Sequence, residues 1–225
     1  MGFAHRGLHD ERVPENSLAA FEAAIRLGAG IECDVQLSGC GHAIVFHDRD
    51  GLRLCGQKAE VGASDLATLR DWRLHGTDQA PHTLADLLDL VGGRVPILVE
   101  LKEDRRNGER VAGAALAALQ GYDGPVGVMS FSARAIRFVR KVAPDVRRGL
   151  VFSGRDMALR RTDKLRRARP DFIAAKVGII DKSWVRNLRE QMPLYSWTAR
   201  TRDDAAKVAK LADAPIWEGD GRPGQ

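Results

Sequence analysis

Short runs rich in β-branched and apolar residues alternate with amphipathic segments along almost the whole chain, and this alternation limits the fold more than any other feature. Strands are expected at 3–5, 30–37, 43–47, 96–102, 126–131, 149–152, 172–176 and 194–198, with a further apolar run at 214–217. The segments between most of them carry helix signals. In the first, Asn16 or Ser17 can cap the N-terminus, Leu18, Phe21 and Ile25 repeat at three- and four-residue steps, and Gly28 can end the helix. Strand and helix in alternation predict a mostly parallel α/β fold, a TIM (β/α)8 barrel, with a doubly wound sheet as the alternative. The 225 residues fit one such barrel spanning 1–225, and no low-complexity linker divides them.

The second and third strands break the pattern. Only Ser38–His42 separates them, too few residues for a crossover helix, so this pair should be an antiparallel hairpin. A turn centred near Gly39 and Cys40 gives paired positions that sum to about 79, which sets His47 opposite Glu32.

Composition excludes several classes. A chain 44% hydrophobic and 29% charged is globular, and no run approaches the ~20 apolar residues of a membrane span. The first residues offer no basic-then-apolar leader, so a cytoplasmic protein is expected. Cys33, Cys40 and Cys55 form no Cys-x-x-Cys pair, which suits a reducing compartment. The net charge of +5 is local: residues 155–169 hold seven basic and two acidic side chains, leaving 28 of each elsewhere. That segment reads as a solvated helix with Ala158, Leu159, Thr162, Leu165 and Ala168 as inward candidates, or as a peripheral contact to anionic membrane. No aromatic interleaving or nucleic-acid motif accompanies it, and no nucleic-acid partner is expected.

Strand parity then sorts the charged residues. In Ile31-Glu32-Cys33-Asp34-Val35 both carboxylates share one face and the apolar side chains the other; Glu100 and Lys102 separate likewise from Val99 and Leu101. Two carboxylates ~4 Å apart repel by about 4 kcal/mol at an effective dielectric of 20. Glu32, Asp34 and Glu100 therefore need a counter-charge. Lys102 and Arg6 could supply it, but Lys102 alone cannot neutralise three acids. An all-oxygen set selects a hard divalent cation, Mg2+ or Ca2+.

His5 and His47 end their strands beside these acids, and one imidazole can accept a proton while another donates one. His9, His42, His75 and His82 lie in expected loops. Arg6, followed by Gly7, suits phosphate recognition or an ion pair holding Glu32. Trp197 could pack against the carbon skeleton of a ligand at a barrel mouth, or belong to the core.

Read in order, Ala4-His5-Arg6-Gly7, Pro14-Glu15-Asn16-Ser17, Glu32-Cys33-Asp34-Val35, Phe46-His47-Asp48, Thr83-Leu84-Ala85-Asp86-Leu87-Leu88, Val99-Glu100-Leu101-Lys102, Ser130-Phe131 and Trp197-Thr198 together resemble the glycerophosphodiester phosphodiesterase family. The resemblance implies a TIM barrel, irregular between its second and third strands, that hydrolyses a glycerophosphodiester to glycerol 3-phosphate and an alcohol. It implies a divalent cation on Glu32, Asp34 and Glu100, acid–base catalysis by His5 and His47, and phosphate contacts from Arg6 and Lys102. The reaction implied is attack by the glycerol 2-hydroxyl, giving a cyclic phosphate that water opens. Three places depart from the family pattern: Arg200 stands for an asparagine, Ile216-Trp217-Glu218 replaces Ile-Thr-Asp, and the insertion at about 49–81 is short. These surround the alcohol side, leaving a lysophospholipase D-like activity on lysolipids, or a non-catalytic phosphate-ligand binder, as the alternatives. Glu218 is a candidate extra acid.

Overall fold

Strands alternate with helices because apolar alternation and helical caps follow one another in the sequence. The computed structural model describes residues 2–224. Its strands are β1 (Phe3–His5), β2 (Gly30–Leu37), β3 (Ala43–Val45), β4 (His82–Thr83), β5 (Ile97–Leu101), β6 (Val126–Ser130), β7 (Arg147–Phe152), β8 (Phe172–Lys176), β9 (Leu194–Ala199) and β10 (Ala214–Trp217). The helices are α1 (Leu18–Leu27), α2 (Leu52–Cys55), α3 (Leu66–Asp71), α4 (Leu84–Val91), α5 (Gly108–Ala118), α6 (Ala133–Val142), α7 (Ala158–Ala168), α8 (Ser183–Arg189) and α9 (Arg202–Leu211). Eight parallel strands close in the order β1, β2, β5, β6, β7, β8, β9, β10 and back to β1. This is the expected TIM barrel. The helix capping expected of α1 is present: Ser17 accepts from Ala20 N, and Gly28 adopts φ 71°.

Parity decides what each strand buries. Ile31, Cys33, Val35, Val99, Val128 and Ile173 face outward, packing with Phe21, Leu87, Val111 and Ile136 of the helices. The opposite parity fills the barrel with Leu98, Met129, Val151, Phe172, Ala174 and Ile216, with Phe3 and Tyr195 against them. Phe172 fits because residue 149 is glycine; a Cβ there would lie 2.1 Å from its ring. The next inward positions toward the strand C-termini are the polar ones: His5, Glu32, Asp34, Glu100, Lys102, Lys176, Trp197 and Glu218. The apolar plug is thus the floor of the site.

The hairpin forms, but in a different register. Val35 pairs with Val45, Gln36 with Ile44 and Leu37 with Ala43, so the positions sum to 80. The turn centres on Cys40, with Ser38 N donating to His42 O at 2.9 Å and Gly41 at φ 92°. His47 consequently does not face Glu32, and β3 stops at Val45 rather than at residue 47. The Gln36 amide takes the carbonyls of Phe46 and Asp48 and turns the chain out of the ladder. Beyond it, the excursion through α2 and α3 returns on β4, a two-residue strand with no expected counterpart. It has its own core of Ile44, Phe46, Leu54, Val61, Leu69, Trp72 and Leu74.

The basic segment is α7, and its inward face differs from expectation. Ala158, Leu159 and Thr162 are exposed, Leu165 is half-buried and Ala168 buried. Arg161 turns inward instead, its guanidinium 4.3 Å from the Trp184 ring centroid. A flat cation over an indole replaces the aliphatic contact. No helix among the described residues is long and apolar enough to cross a membrane.

His82 lies in β4, not in a loop. It is buried against Phe21 (ring centroids 5.7 Å), and its Nε2 has no hydrogen-bond partner. Burial holds its pKa down at about 4 against an ordinary 6.5. Between those values the unfolded chain binds a proton that the folded chain refuses, so stability falls as pH drops from 6.5 to 4, by about 3 kcal/mol in all. His82→Phe should remove that part of the acid sensitivity. Urea unfolding at pH 7 and pH 4.5 checks it: wild type should lose more stability than the variant, and equal losses would show that His82 carries its proton in the fold.

Candidate active site

The charged residues on the inner face gather at the C-terminal end of the barrel. Glu32 and Asp34 project from β2, Glu100 from β5, and one carboxylate oxygen of each lies within 4.8 Å of the others. Strand pairing fixes this: Asp34 is level with Glu100 across the β2–β5 ladder, and His5 is level with Glu32 across β1–β2. All three acids are buried.

Lys102 bridges two of them, with Nζ 2.9 Å from Asp34 Oδ1 and 2.8 Å from Glu100 Oε1. Arg6 forms an ion pair, though with Asp34: its Nε sits 3.0 Å from Asp34 Oδ2, while its backbone N donates to Glu32 Oε2 at 3.2 Å. Its side chain pairs with Asp34 rather than Glu32. Asn16 holds Asp34 further, donating from Nδ2 to Oδ2 at 2.9 Å and accepting from Asp34 N at 3.3 Å. Arg6 and Asn16 both have positive φ, 58° and 54°, and Asn16 N donates to Arg6 O. Gly7 lets this loop close onto α1, since a Cβ there would lie 2.8 Å from Ala20 Cβ.

The acids respond unequally. Burial pushes Asp34 upward, but Lys102 and Arg6 outweigh it and hold the group below the usual carboxylate range. Glu32 goes the other way: burial, then Asp34 and Glu100, push it well above the ordinary value. Its Oε1 is buried with no hydrogen-bond partner. Two cations thus face three carboxylates, and the shortfall falls on Glu32.

Each histidine expected in the site rests on a carboxylate. His5 Nδ1 is 2.9 Å from Glu218 Oε2, and His9 Nε2 is 3.4 Å from the same oxygen. Arg200 pairs with the other oxygen of Glu218, so two of the departures noted in the sequence meet in one contact. Burial lowers the His5 pKa, and the Glu218 bond partly offsets it. His47 Nδ1 is 2.7 Å from Asp48 Oδ1. A carboxylate can only accept, so both protons lie on Nδ1 and both Nε2 atoms are left to exchange protons.

His47 reaches the site without help from strand register. Arg53 clamps Asp48 (Nε to Oδ2, 2.6 Å) and Glu15 (Nη1 to Oε2, 2.9 Å), and Glu15 pairs with Arg6 at 2.7 Å. A chain of ion pairs therefore runs from Asp34 through Arg6, Glu15, Arg53 and Asp48 to His47. Sequence reasoning missed Arg53, Glu15 and His9. Glu15 had a signal, its place beside Asn16 in a quoted motif; Arg53 had none.

His5, Arg6, His47, Glu100, Lys102 and Trp197 line one cavity of about 520 Å³, with Phe131, Lys176, Arg200 and Lys207 among its other walls. Trp197 lines the cavity and packs, half-buried, on the apolar plug, edge to face with Phe131 at 5.5 Å. A concave site with clustered acids, two carboxylate-backed imidazoles and two cations can bind an anion, hold a divalent metal and move protons.

The fold recurs in known structures. A phosphodiesterase of Oleispira antarctica, solved with sn-glycerol-3-phosphate as its product, superposes with a TM-score of 0.87 at 22% identity, covering 97% of this chain and 92% of that one. A glycerophosphodiester phosphodiesterase of Thermotoga maritima gives 0.79 at 22% identity, covering 96% and 92%. In sequence, a glycerophosphodiester phosphodiesterase of Caldanaerobacter subterraneus is 31% identical over 160 residues, 66% of this chain and 65% of the relative. A Mycobacterium tuberculosis protein named for the same activity is 38% identical over 165 residues, 63% of this chain and 60% of the relative. The matched stretch thus spans less than two thirds of these relatives' length. The model of the glycerophosphoryl diester phosphodiesterase family matches residues 5–216, and the chain belongs to that family.

Proposed function

We propose that this protein hydrolyses glycerophosphodiesters to glycerol 3-phosphate and an alcohol. One observation carries the reading: buried acids, two carboxylate-backed histidines and the pair Arg6 and Lys102 meet around one cavity at the barrel mouth. The product named in the Oleispira antarctica structure supports the substrate class.

The acid cluster fits a divalent metal. Glu32, Asp34 and Glu100 supply only oxygen, as Mg2+ or Ca2+ requires, and Glu32 Oε1 is buried and unpaired. These three would hold the ion. When bound, it offsets negative charge gathering on the phosphoryl oxygens. Lys102 and Arg6 contact the phosphate and restrict its orientation. Of His5 and His47, one is neutral with its proton on Nδ1 and takes the proton of the attacking hydroxyl at Nε2; the other is the imidazolium and gives its Nε2 proton to the leaving alcohol, and the two roles exchange when water opens the cyclic phosphate. Glu218 and Asp48 orient each ring through its Nδ1–H. Trp197 walls the carbon skeleton.

A second reading, lysophospholipase D-like action on lysolipids at an anionic membrane, is favoured by α7. Met157 and Leu159 are 77% and 87% exposed beside its arginines, an arrangement that suits an interface. Sedimentation with anionic vesicles, but not neutral ones, is its expected outcome; no binding to either removes it.

Three measurements test the leading reading. Release of glycerol 3-phosphate from glycerophosphodiesters should require Mg2+ or Ca2+ and stop with EDTA. His47→Ala should lower kcat by about 10²–10⁴ while metal affinity is kept, whereas Glu100→Gln should lose both. Loss of folding in His47→Ala would instead make that residue structural. Glu32→Gln removes the uncompensated charge, so the metal-free variant should unfold a few degrees above wild type and gain no further stability from added metal. A lower unfolding temperature would show that Glu32 is already neutral or otherwise satisfied.

A further inference from the structure

Charge matching around the cavity leaves one cation over. Arg6 and Lys102 are committed to Asp34, Glu15 and Glu100; Arg200 is committed to Glu218; Lys207 lies 3.3 Å from Asp181. Asp204, the one other acid in the wall besides Glu100, accepts backbone N–H groups of Arg200 and Thr201 at the start of α9. Among the described residues, Lys176 has no hydrogen bond and no ion pair, yet it lines the cavity.

Its position is set by the barrel. Lys176 ends β8 and shares the inward parity of Phe172 and Ala174, so it stands above the apolar plug. In the parallel ladder it is level with Trp197. Three strands lie between β8 and β2 in either direction round the barrel, so Lys176 is across the mouth from Glu32 and Asp34.

We propose that Lys176 is a specificity-determining residue, selecting phosphodiesters whose released alcohol carries a negative charge such as a carboxylate or phosphate. The inference rests on the reaction proposed above. A phosphate held by Arg6 and Lys102 has two ester arms. The glycerol arm is short, and its hydroxyl must stay by the histidines. The alcohol arm therefore extends across the mouth to Lys176, along the Trp197 wall. Trp197 and Phe131 alone would welcome a quaternary ammonium through their π faces. A free ammonium beside them reverses that preference, because like charges sharing a partly desolvated mouth repel.

The test is a charge series sharing one product. Glycerol 3-phosphate release is measured from glycerophosphoethanolamine, glycerophosphoglycerol and its analogue with glycerate as the alcohol, with Mg2+ or Ca2+, for wild type and Lys176→Glu. Lys176 is exposed, so the variant should fold, which circular dichroism and unfolding temperature check. The expected result is that kcat/KM rises along the series, about tenfold from cationic to anionic alcohol, and that Lys176→Glu reverses the order. Equal kcat/KM across the series, an order that survives in Lys176→Glu, or a uniform loss on all three substrates overturns the assignment and leaves the reaction standing. Folded wild type that releases nothing from any substrate with either metal overturns the reaction, and this specificity with it.

Discussion

Three carboxylates buried within 4.8 Å of one another are the constraint to which the rest of the site answers. Their mutual repulsion, a few kcal/mol per pair at protein-like dielectric, cannot be relieved by water because all three are buried. Lys102 and Arg6 offset part of it, and each is fixed in turn: Lys102 between two acids, Arg6 by Asp34 on one side and Glu15 on the other. The shortfall falls on Glu32, whose pKa burial and its two neighbouring acids push well above the ordinary value, and which has a buried oxygen with no hydrogen-bond partner. An arrangement that costs stability in the isolated chain is what a cation-binding centre requires.

The same electrostatics assemble the catalytic candidates. His47 belongs to an excursion outside the barrel, with its own small core, and could sit at many distances from the acids. The ion pairs through Arg53 and Glu15 decide that distance, joining the excursion to the first loop of the barrel. Loss of any one link leaves a partly buried charge without its partner, so the excursion and the site are coupled by more than chain connectivity. On the other side, Arg200 and Glu218 replace two residues of the family pattern and pair with each other. Read singly they look like defects at the mouth; joined, they present a carboxylate to His5.

Much of this was legible in the sequence. Alternation of strand and helix predicted the barrel, and parity within Ile31-Glu32-Cys33-Asp34-Val35 predicted which side chains face inward, because a strand's two-residue period admits only two answers. The hairpin register was not legible. A turn centred on Cys40 differs from one centred half a residue earlier only in the conformation of Gly41 and the side-chain bonds of Gln36, and neither leaves a periodic trace. The inward face of α7 was misjudged for a related reason: Arg161 can replace a leucine where an indole offers its face, and the indole of Trp184 is 23 positions away.

Sequence alone determined the fold class and the inward parity of the acids, since each depends on local periodicity or on motifs of a few residues. Tertiary structure decided which cation serves which acid, how His47 is held, where His9 and Glu218 meet His5, and which lysine remains unmatched at the mouth. Those are choices among partners far apart in the chain, and only closure of the barrel brings them within the few ångströms over which charge is compensated.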